Sequence, residues 1–236
     1  MDNSDLQILP LVIDQKGQQL KKAVHPNLPQ FPFVLALIGS RNCGKTTLYT
    51  NLLLNPNMLH TENIDHCTII SPTIYNDRSA KHLRDKYRGS IYDQYDDEII
   101  KDLIHYQQQF TDSDKPRSIL ILDDSVGYKT HHLNFLSTRS RHNNINLIFS
   151  VQACKRGLQK TVRNNLTDII IFRTNNSKEF EEIYLEWGSM FGSRERFKKM
   201  YNYATKNKYN FLYLKLNDHP PRALKNFTED ITNKFN

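Results

Sequence analysis

Runs of uninterrupted apolar residues recur along the chain, separated by longer polar stretches: VLALI at 34–38, CTII at 67–70, SILIL at 118–122, INLIFSV at 145–151 and DIIIF at 168–172. A strand with one wet face alternates apolar and polar positions. These runs do not alternate, so they predict strands buried on both faces, as in a parallel sheet covered by helices. Two of the intervening stretches have helical spacing. Thr46–Leu54 gathers Leu48, Leu52 and Leu53 on one side, and Ser177–Trp187 places Phe180, Ile183, Tyr184 and Trp187 at steps of three and four. Near the carboxyl end, YNFLYLKL at 209–216 sets Leu212, Leu214 and Leu216 against Phe211, Tyr213 and Lys215, a period of two that predicts a further strand, ended by Pro220-Pro221. The predicted class is α/β, with a mainly parallel central sheet flanked by helices.

Pro10, Pro26, Pro29 and Pro32 interrupt any long element before Phe33. The expected organisation is therefore an extended arm at 1–32, a compact domain at 33–217 and a carboxyl-terminal tail at 218–236. At 236 residues, with 38% hydrophobic and 24% charged, the chain can bury one full core. Eight glycines and nine prolines are too few for a collagen-like or linker-rich protein. A formal charge of +7 favours polyanionic partners without identifying one. Cys43, Cys67 and Cys154 are odd in number and far apart, which suits a reducing compartment better than a disulfide framework or a metal knuckle. The apolar runs fall far short of the ~18 residues that span a bilayer, and MDNSDLQ carries no basic segment. The expectation is a protein neither secreted nor membrane-spanning.

The residues Gly39-Ser40-Arg41-Asn42-Cys43-Gly44-Lys45-Thr46 match G-x-x-x-x-G-K-[ST] directly after one predicted strand and directly before a predicted helix. Glycines let such a loop wrap so that successive backbone N–H groups point inward, and the helix end adds a positive field where phosphate oxygens would lie. Gly39 through Thr47 is thus the expected nucleotide-binding stretch. Within it, Lys45 would reach the β- and γ-phosphates and Thr46 would offer its hydroxyl to Mg²⁺. Cys43 reads as a spacer, although a thiol at a helix N-terminus can also acquire a lowered pKa.

The run Ile119–Leu122 leads straight into Asp123-Asp124. A buried strand in a parallel sheet delivers such acids to the carboxyl edge, where the phosphate loop also lies. We assign Asp123 to Mg²⁺, which is hard and keeps part of its water shell, and Asp124 to orienting the attacking water. The plainer alternative for these acids is a helix N-cap.

Together these residues resemble the FtsK-HerA superfamily of ring-forming DNA-pumping ATPases, most closely the poxvirus-type genome-packaging ATPases of large DNA viruses and virophages. The resemblance spans roughly 33–216. Besides the phosphate loop and ILDDS, it rests on RHNNINLIFSVQ at 141–152, in which an arginine precedes a strand that ends in glutamine, and on the segment from Gly157-Leu158 through Arg163-Asn164-Asn165 to Ile169–Phe172. It implies a P-loop NTPase of RecA-like, ASCE type that uses ATP and Mg²⁺ to move double-stranded DNA. It further implies a homo-oligomeric ring, hexamer or pentamer, with capsid proteins among its partners, and a place in the host cytoplasm, in a viral factory, or in the virion. It also implies that the strand ending at Gln152 lies between the phosphate-loop strand and the Asp123 strand, that Gln152 senses the γ-phosphate, and that Arg141, rather than Arg139, is an arginine finger. Cellular members usually carry Glu after the metal-binding Asp; here Asp124 is one methylene shorter, a form that poxvirus-type members tolerate.

His131, His132 and His142 fit no zinc template and read as solvated or DNA-proximal. The stretch 194–208 holds six cations, one acid and three aromatics. It suits either a phosphate-tracking surface or an amphipathic helix that buries Phe197, Met200, Tyr201 and Ala204. Two other functions stay open from sequence. A nucleoside or nucleotide kinase shares the phosphate loop, and a nucleotide-gated scaffold with weak hydrolysis is conceivable with the short Asp124. A guanine-specific switch is disfavoured, because no N-K-x-D follows the fifth strand.

Overall fold

The computed structural model of the chain describes residues 20–124 and 130–235. Each apolar run becomes a strand: β1 (Val34–Ile38), β2 (His66–Ile70), β4 (Ser118–Asp123), β5 (Ile145–Val151) and β6 (Asp168–Phe172). To these are added β3 (Ile91–Tyr92), β7 (Phe211–Lys215), β8 (Arg222–Lys225) and β9 (Glu229–Asp230). They form one sheet in the order β3-β2-β4-β5-β1-β6-β7-β8-β9. The pairs from β3 to β6 are parallel, and those from β6 to β9 are antiparallel.

The absence of alternation is explained by two separate cores. Successive side chains leave a strand on opposite faces. Val34, Ala36 and Ile38 of β1, with Leu120, Leu147, Phe149 and Ile169, face one helical layer. That layer is made of α3 (Asp97–Gln108), α4 (His131–Arg139), α5 (Cys154–Gly157), α6 (Lys160–Arg163), α7 (Ser177–Glu186) and α8 (Arg194–Ala204). Leu35 and Leu37, with Ile119, Ile121, Ile148 and Ile170, face the other layer, which contains α1 (Lys45–Leu54) and α2 (Lys81–Lys86). On α1 the buried residues are Tyr49, Leu52 and Leu53, with Leu48 half-buried.

Both chain ends depart from a simple picture of arm and tail. Residues 1–19 of the expected arm lie outside the described residues. Val24 and Leu28 are buried in the second core, and the buried Lys215 ammonium donates to the carbonyls of Pro26 at 2.8 Å and Leu28 at 2.9 Å. The segment expected as a tail from 218 extends the sheet through β8 and β9, with Ala223, Leu224 and Ile231 fully buried. Its apolar positions are too few to announce strands, and the hairpin with β7 supplies their hydrogen-bond partners instead.

Because β1, β4, β5 and β6 are parallel, the residues that follow them meet at one edge. Antiparallel β7 starts at that same edge, so Gly39, Asp124, Gln152, Phe172 and the residues just before Phe211 converge there.

Candidate active site

The loop after β1 is shaped by its glycines. Gly39 N donates to Val151 O at 3.1 Å, which ties the loop to β5. A Cβ on Gly39 would stand 2.6 Å from Cys43 Sγ and 2.8 Å from Phe172 Cβ, so no side chain fits. Asn42 and Gly44 both have left-handed backbone, with φ of 61° and 106°. Helix α1 then begins at Lys45, and among the described residues no side chain caps it, leaving first-turn N–H groups available to an anion. The Lys45 ammonium crosses the loop, donating to Gly39 O at 2.7 Å and Ser40 O at 3.1 Å. Burial pushes the Cys43 thiol above its ordinary pKa, with Lys45 pulling only partly against it. An activated thiolate is therefore disfavoured at this position.

Asp123 ends β4 almost fully buried. Its Oδ2 accepts from the Tyr49 hydroxyl at 3.1 Å and from Ser71 Oγ at 3.0 Å. Oδ1 has no hydrogen-bond partner among the described residues. Tyr49 lies three residues after Thr46 on α1, so the helix that presents one expected metal ligand also supplies a donor to the other. Burial, reinforced by the Asp123 charge, holds the Tyr49 pKa well above its ordinary value, which keeps the hydroxyl a donor. An oxygen set of one carboxylate and one hydroxyl, at the mouth of a phosphate loop, fits Mg²⁺, which takes few protein ligands and completes its shell with phosphate and water. No cluster of three or more His, Cys, Asp or Glu suited to another metal occurs among the described residues.

Asp124 has φ of 50°, left-handed for a non-glycine residue, and its backbone N donates to Ser150 O at 2.8 Å. In this conformation Oδ1 accepts from Gln152 Nε2 at 2.6 Å. The structure therefore brings together Gly39 through Thr47, both acids and Gln152. Lys45, Thr46, Asp123, Asp124 and Gln152 line a single cavity of about 1100 Å³. Behind the cavity wall, Asp123 is held by two buried residues that the sequence reading missed. Ser71 follows the CTII run as Asp123 follows its own run, and Tyr49 lies one turn after Thr46, so their positions were readable but their residue types were not distinctive. Phe172 and Tyr209 close the opposite wall.

Arg141 is not brought into this cavity. It is exposed in the turn that precedes β5, whereas Gln152 follows β5. Seven residues at about 3.3 Å each put these ends about 20 Å apart, beyond the reach of an arginine to its own subunit's phosphates. Arg139 is also exposed and stacks over Phe135 at 4.7 Å. His132, read from sequence as solvated or near DNA, instead pairs through Nδ1 with Asp97 at 2.5 Å.

The basic stretch 194–208 forms α8 and the turn after it, with Phe197, Met200, Tyr201 and Ala204 buried. Its cations divide by partner. Arg194 pairs with Glu181, Arg196 donates to Thr232 O at 2.6 Å, and Lys208 lies over Tyr209 at the phosphate-loop cavity. Lys198, Lys199 and Lys206 stand exposed.

One strand, β5, separates the phosphate-loop strand β1 from the acid-bearing strand β4, and all three are parallel. That order, with acids and a glutamine on successive strands beyond the loop, defines the fold as that of a P-loop NTPase of the ASCE class. The chain belongs to the family described as Poxvirus A32 protein, whose pattern matches residues 21–214. It is 27% identical over 187 residues to uncharacterized protein 075L of Invertebrate iridescent virus 6, covering 76% of this chain and 69% of that protein. Its fold is similar to that of B204, the DNA-packaging ATPase from Sulfolobus turreted icosahedral virus. That likeness has a TM-score of 0.60 at 19% identity, covering 81% of this chain and 96% of B204. It is also similar to EssC ATPases 2 and 3 of Geobacillus thermodenitrificans, with a TM-score of 0.52 at 14% identity over 76% of this chain and 43% of that one. Among the described residues no helix is long and apolar enough to cross a membrane.

Proposed function

We propose that the chain is an ATP-hydrolysing ring motor that moves double-stranded DNA and packages a viral genome into a capsid. The observation that carries this reading is the Asp124–Gln152 contact, in the cavity that Lys45 and the buried Asp123 also line. B204 of Sulfolobus turreted icosahedral virus, which shares the fold, is a DNA-packaging ATPase, and the genome packaging NTPase B204 of Sulfolobus turreted icosahedral virus 2 has been solved in complex with ATP-gammaS.

In this reading the loop Gly39–Thr47 and the Lys45 ammonium hold the β- and γ-phosphates, the loop acting through its N–H groups beyond that of Gly39, which Val151 O receives. Thr46 and Asp123 would hold Mg²⁺, which supplies charge neutralisation between the phosphates when bound. Tyr49 and Ser71 fix the Asp123 carboxylate. Asp124 orients a water and accepts its proton, while Gln152 exchanges its Asp124 contact for one to phosphate or water as hydrolysis proceeds. Arg141, at the far edge of the sheet, acts on the cavity of a neighbouring copy in a pentameric or hexameric ring. This makes hydrolysis depend on assembly, and an arginine supplied in trans contributes ~10³ to 10⁵ in rate. Lys198, Lys199 and Lys206 offer contacts to DNA phosphates, capsid proteins dock the ring, and the setting is a viral factory in the host cytoplasm or the virion.

The test is the ATP turnover of the assembled protein with and without duplex DNA, alongside its mass. Stimulation by DNA in a ring-sized assembly supports a motor. Phosphate transfer to an added nucleoside in a monomer would make the chain a kinase, and nucleotide binding without turnover would make it a scaffold.

A further inference from the structure

We propose that Tyr209 is the platform on which the base of the bound nucleotide stacks, an inference that rests on the nucleotide site described above. The sheet order gives the nucleotide a direction. Asp124 and Gln152 follow β4 and β5, on one side of β1, whereas β6 and β7 lie on its other side. A triphosphate seated on the loop after β1, with its reacting end at Asp124, therefore projects its sugar and base toward β6 and β7. The cavity runs continuously in that direction, from Gln152 past Gly44 to Phe172, Lys208, Tyr209 and Phe211.

The three aromatic residues on that wall are not equivalent. Phe172 and Phe211 are buried and meet edge to face at 5.5 Å, so their rings are committed to the core. Tyr209 is 57% exposed, and of the large exposed apolar side chains among the described residues it is the one that lines this cavity. Its ring borders the phosphate loop directly, since a Cβ on Gly44 would stand 3.3 Å from Tyr209 Cδ1. The group lying over the ring is the exposed Lys208 ammonium, 4.8 Å from the centroid, rather than core packing. The Tyr209 backbone is left-handed, with φ of 68°, a conformation in which a bulky aromatic is rarely found. An aromatic ring held open beside a phosphate loop suits the π face of a base. Every base has such a face, so the ligand class is a nucleoside triphosphate held by stacking, with purines favoured by their larger area.

The test uses the full chain and its Tyr209→Ala and Tyr209→Phe variants. Binding is measured for ATP and for inorganic tripolyphosphate, which has no base. Tyr209→Ala is expected to weaken ATP binding about tenfold, a loss typical of one stacked base, with Tyr209→Phe close to the parent. Tripolyphosphate should bind all three proteins alike. ATP affinity unchanged in Tyr209→Ala, or tripolyphosphate affinity lost along with it, overturns the platform and leaves the phosphate site standing. A parent chain that binds neither ligand overturns the nucleotide site itself.

Discussion

Gln152 Nε2 donates to Asp124 Oδ1 across 2.6 Å, which joins the ends of the adjacent strands β5 and β4. The same strand β5 begins four residues after Arg141. A change in the Asp124 contact therefore pulls on an element whose other end carries the residue assigned to the neighbouring subunit. We expect Asp124→Asn to keep Mg²⁺ and ATP bound while turnover falls ~10² to 10⁴-fold, the range for losing a general base. Separate measurement of ATP affinity and kcat checks this. Lost affinity with unchanged kcat would reverse the roles of Asp123 and Asp124.

Gln152→Glu places a second carboxylate against the first, and a like charge that close raises the pKa of one member of the pair. A base must be deprotonated to act, so the acidic limb of the kcat profile should move toward higher pH, and turnover lost at neutral pH should partly return in alkali. A profile that coincides with the parent's would show that Gln152 and Asp124 do not act as a pair.

Tyr49→Phe removes one of the two donors to Asp123 Oδ2. We expect a loss of about 1 kcal/mol in stability, the usual worth of a hydrogen bond, and a higher Mg²⁺ concentration for half-maximal turnover. Denaturant unfolding and Mg²⁺ titration read the two effects separately. An unchanged Mg²⁺ dependence would leave Tyr49 with a packing role alone.

Gly44→Ala puts a Cβ on a residue with φ of 106° and 3.3 Å from the Tyr209 ring. Left-handed backbone costs an ordinary residue about 1–2 kcal/mol, so the loop should shift and nucleotide affinity should fall while the core stays folded. Lys45→Ala should abolish turnover outright. Full ATPase activity in either variant contradicts the loop's assigned role.

Neutralising Lys198, Lys199 and Lys206 should weaken DNA binding regardless of sequence and reduce its salt slope by about 0.9 for each duplex phosphate that no longer meets a lysine. A parental slope measured between low and moderate salt would return these lysines to the solvated face of α8.

The sheet and the phosphate loop were legible in the sequence because each depends on local pattern. Ile119–Leu122 is apolar throughout because both of its faces are buried, Gly39 sits where no side chain fits, and Gly44 sits where a left-handed backbone strains any other residue. What was not legible depends on partners distant in sequence. Lys215 reads as the polar half of an alternating strand, yet it is buried because two carbonyls of the arm receive its ammonium. Leu224 reads as part of a tail, yet it pairs with Tyr213 in the sheet. Of the residues around Asp123, nothing in the local sequence marks Tyr49 or Ser71, because their role comes from strand order and from the side of α1 that faces the sheet.

The central claim, that one hydrolysis site is divided between two subunits, is tested most directly by mixing variants. Arg141→Ala should bind ATP nearly as the parent does yet hydrolyse poorly, because a guanidinium finger acts on charge that develops in the transition state. Asp124→Asn fails for a different reason and keeps its arginine. Steady-state ATPase is measured on subunit-exchanged mixtures of the two over a range of ratios. The account predicts turnover above the weighted sum of the two separate rates, since an intact Arg141 then meets an intact Asp124 at mixed interfaces. A mixture that stays at the weighted sum despite demonstrated subunit exchange would contradict it.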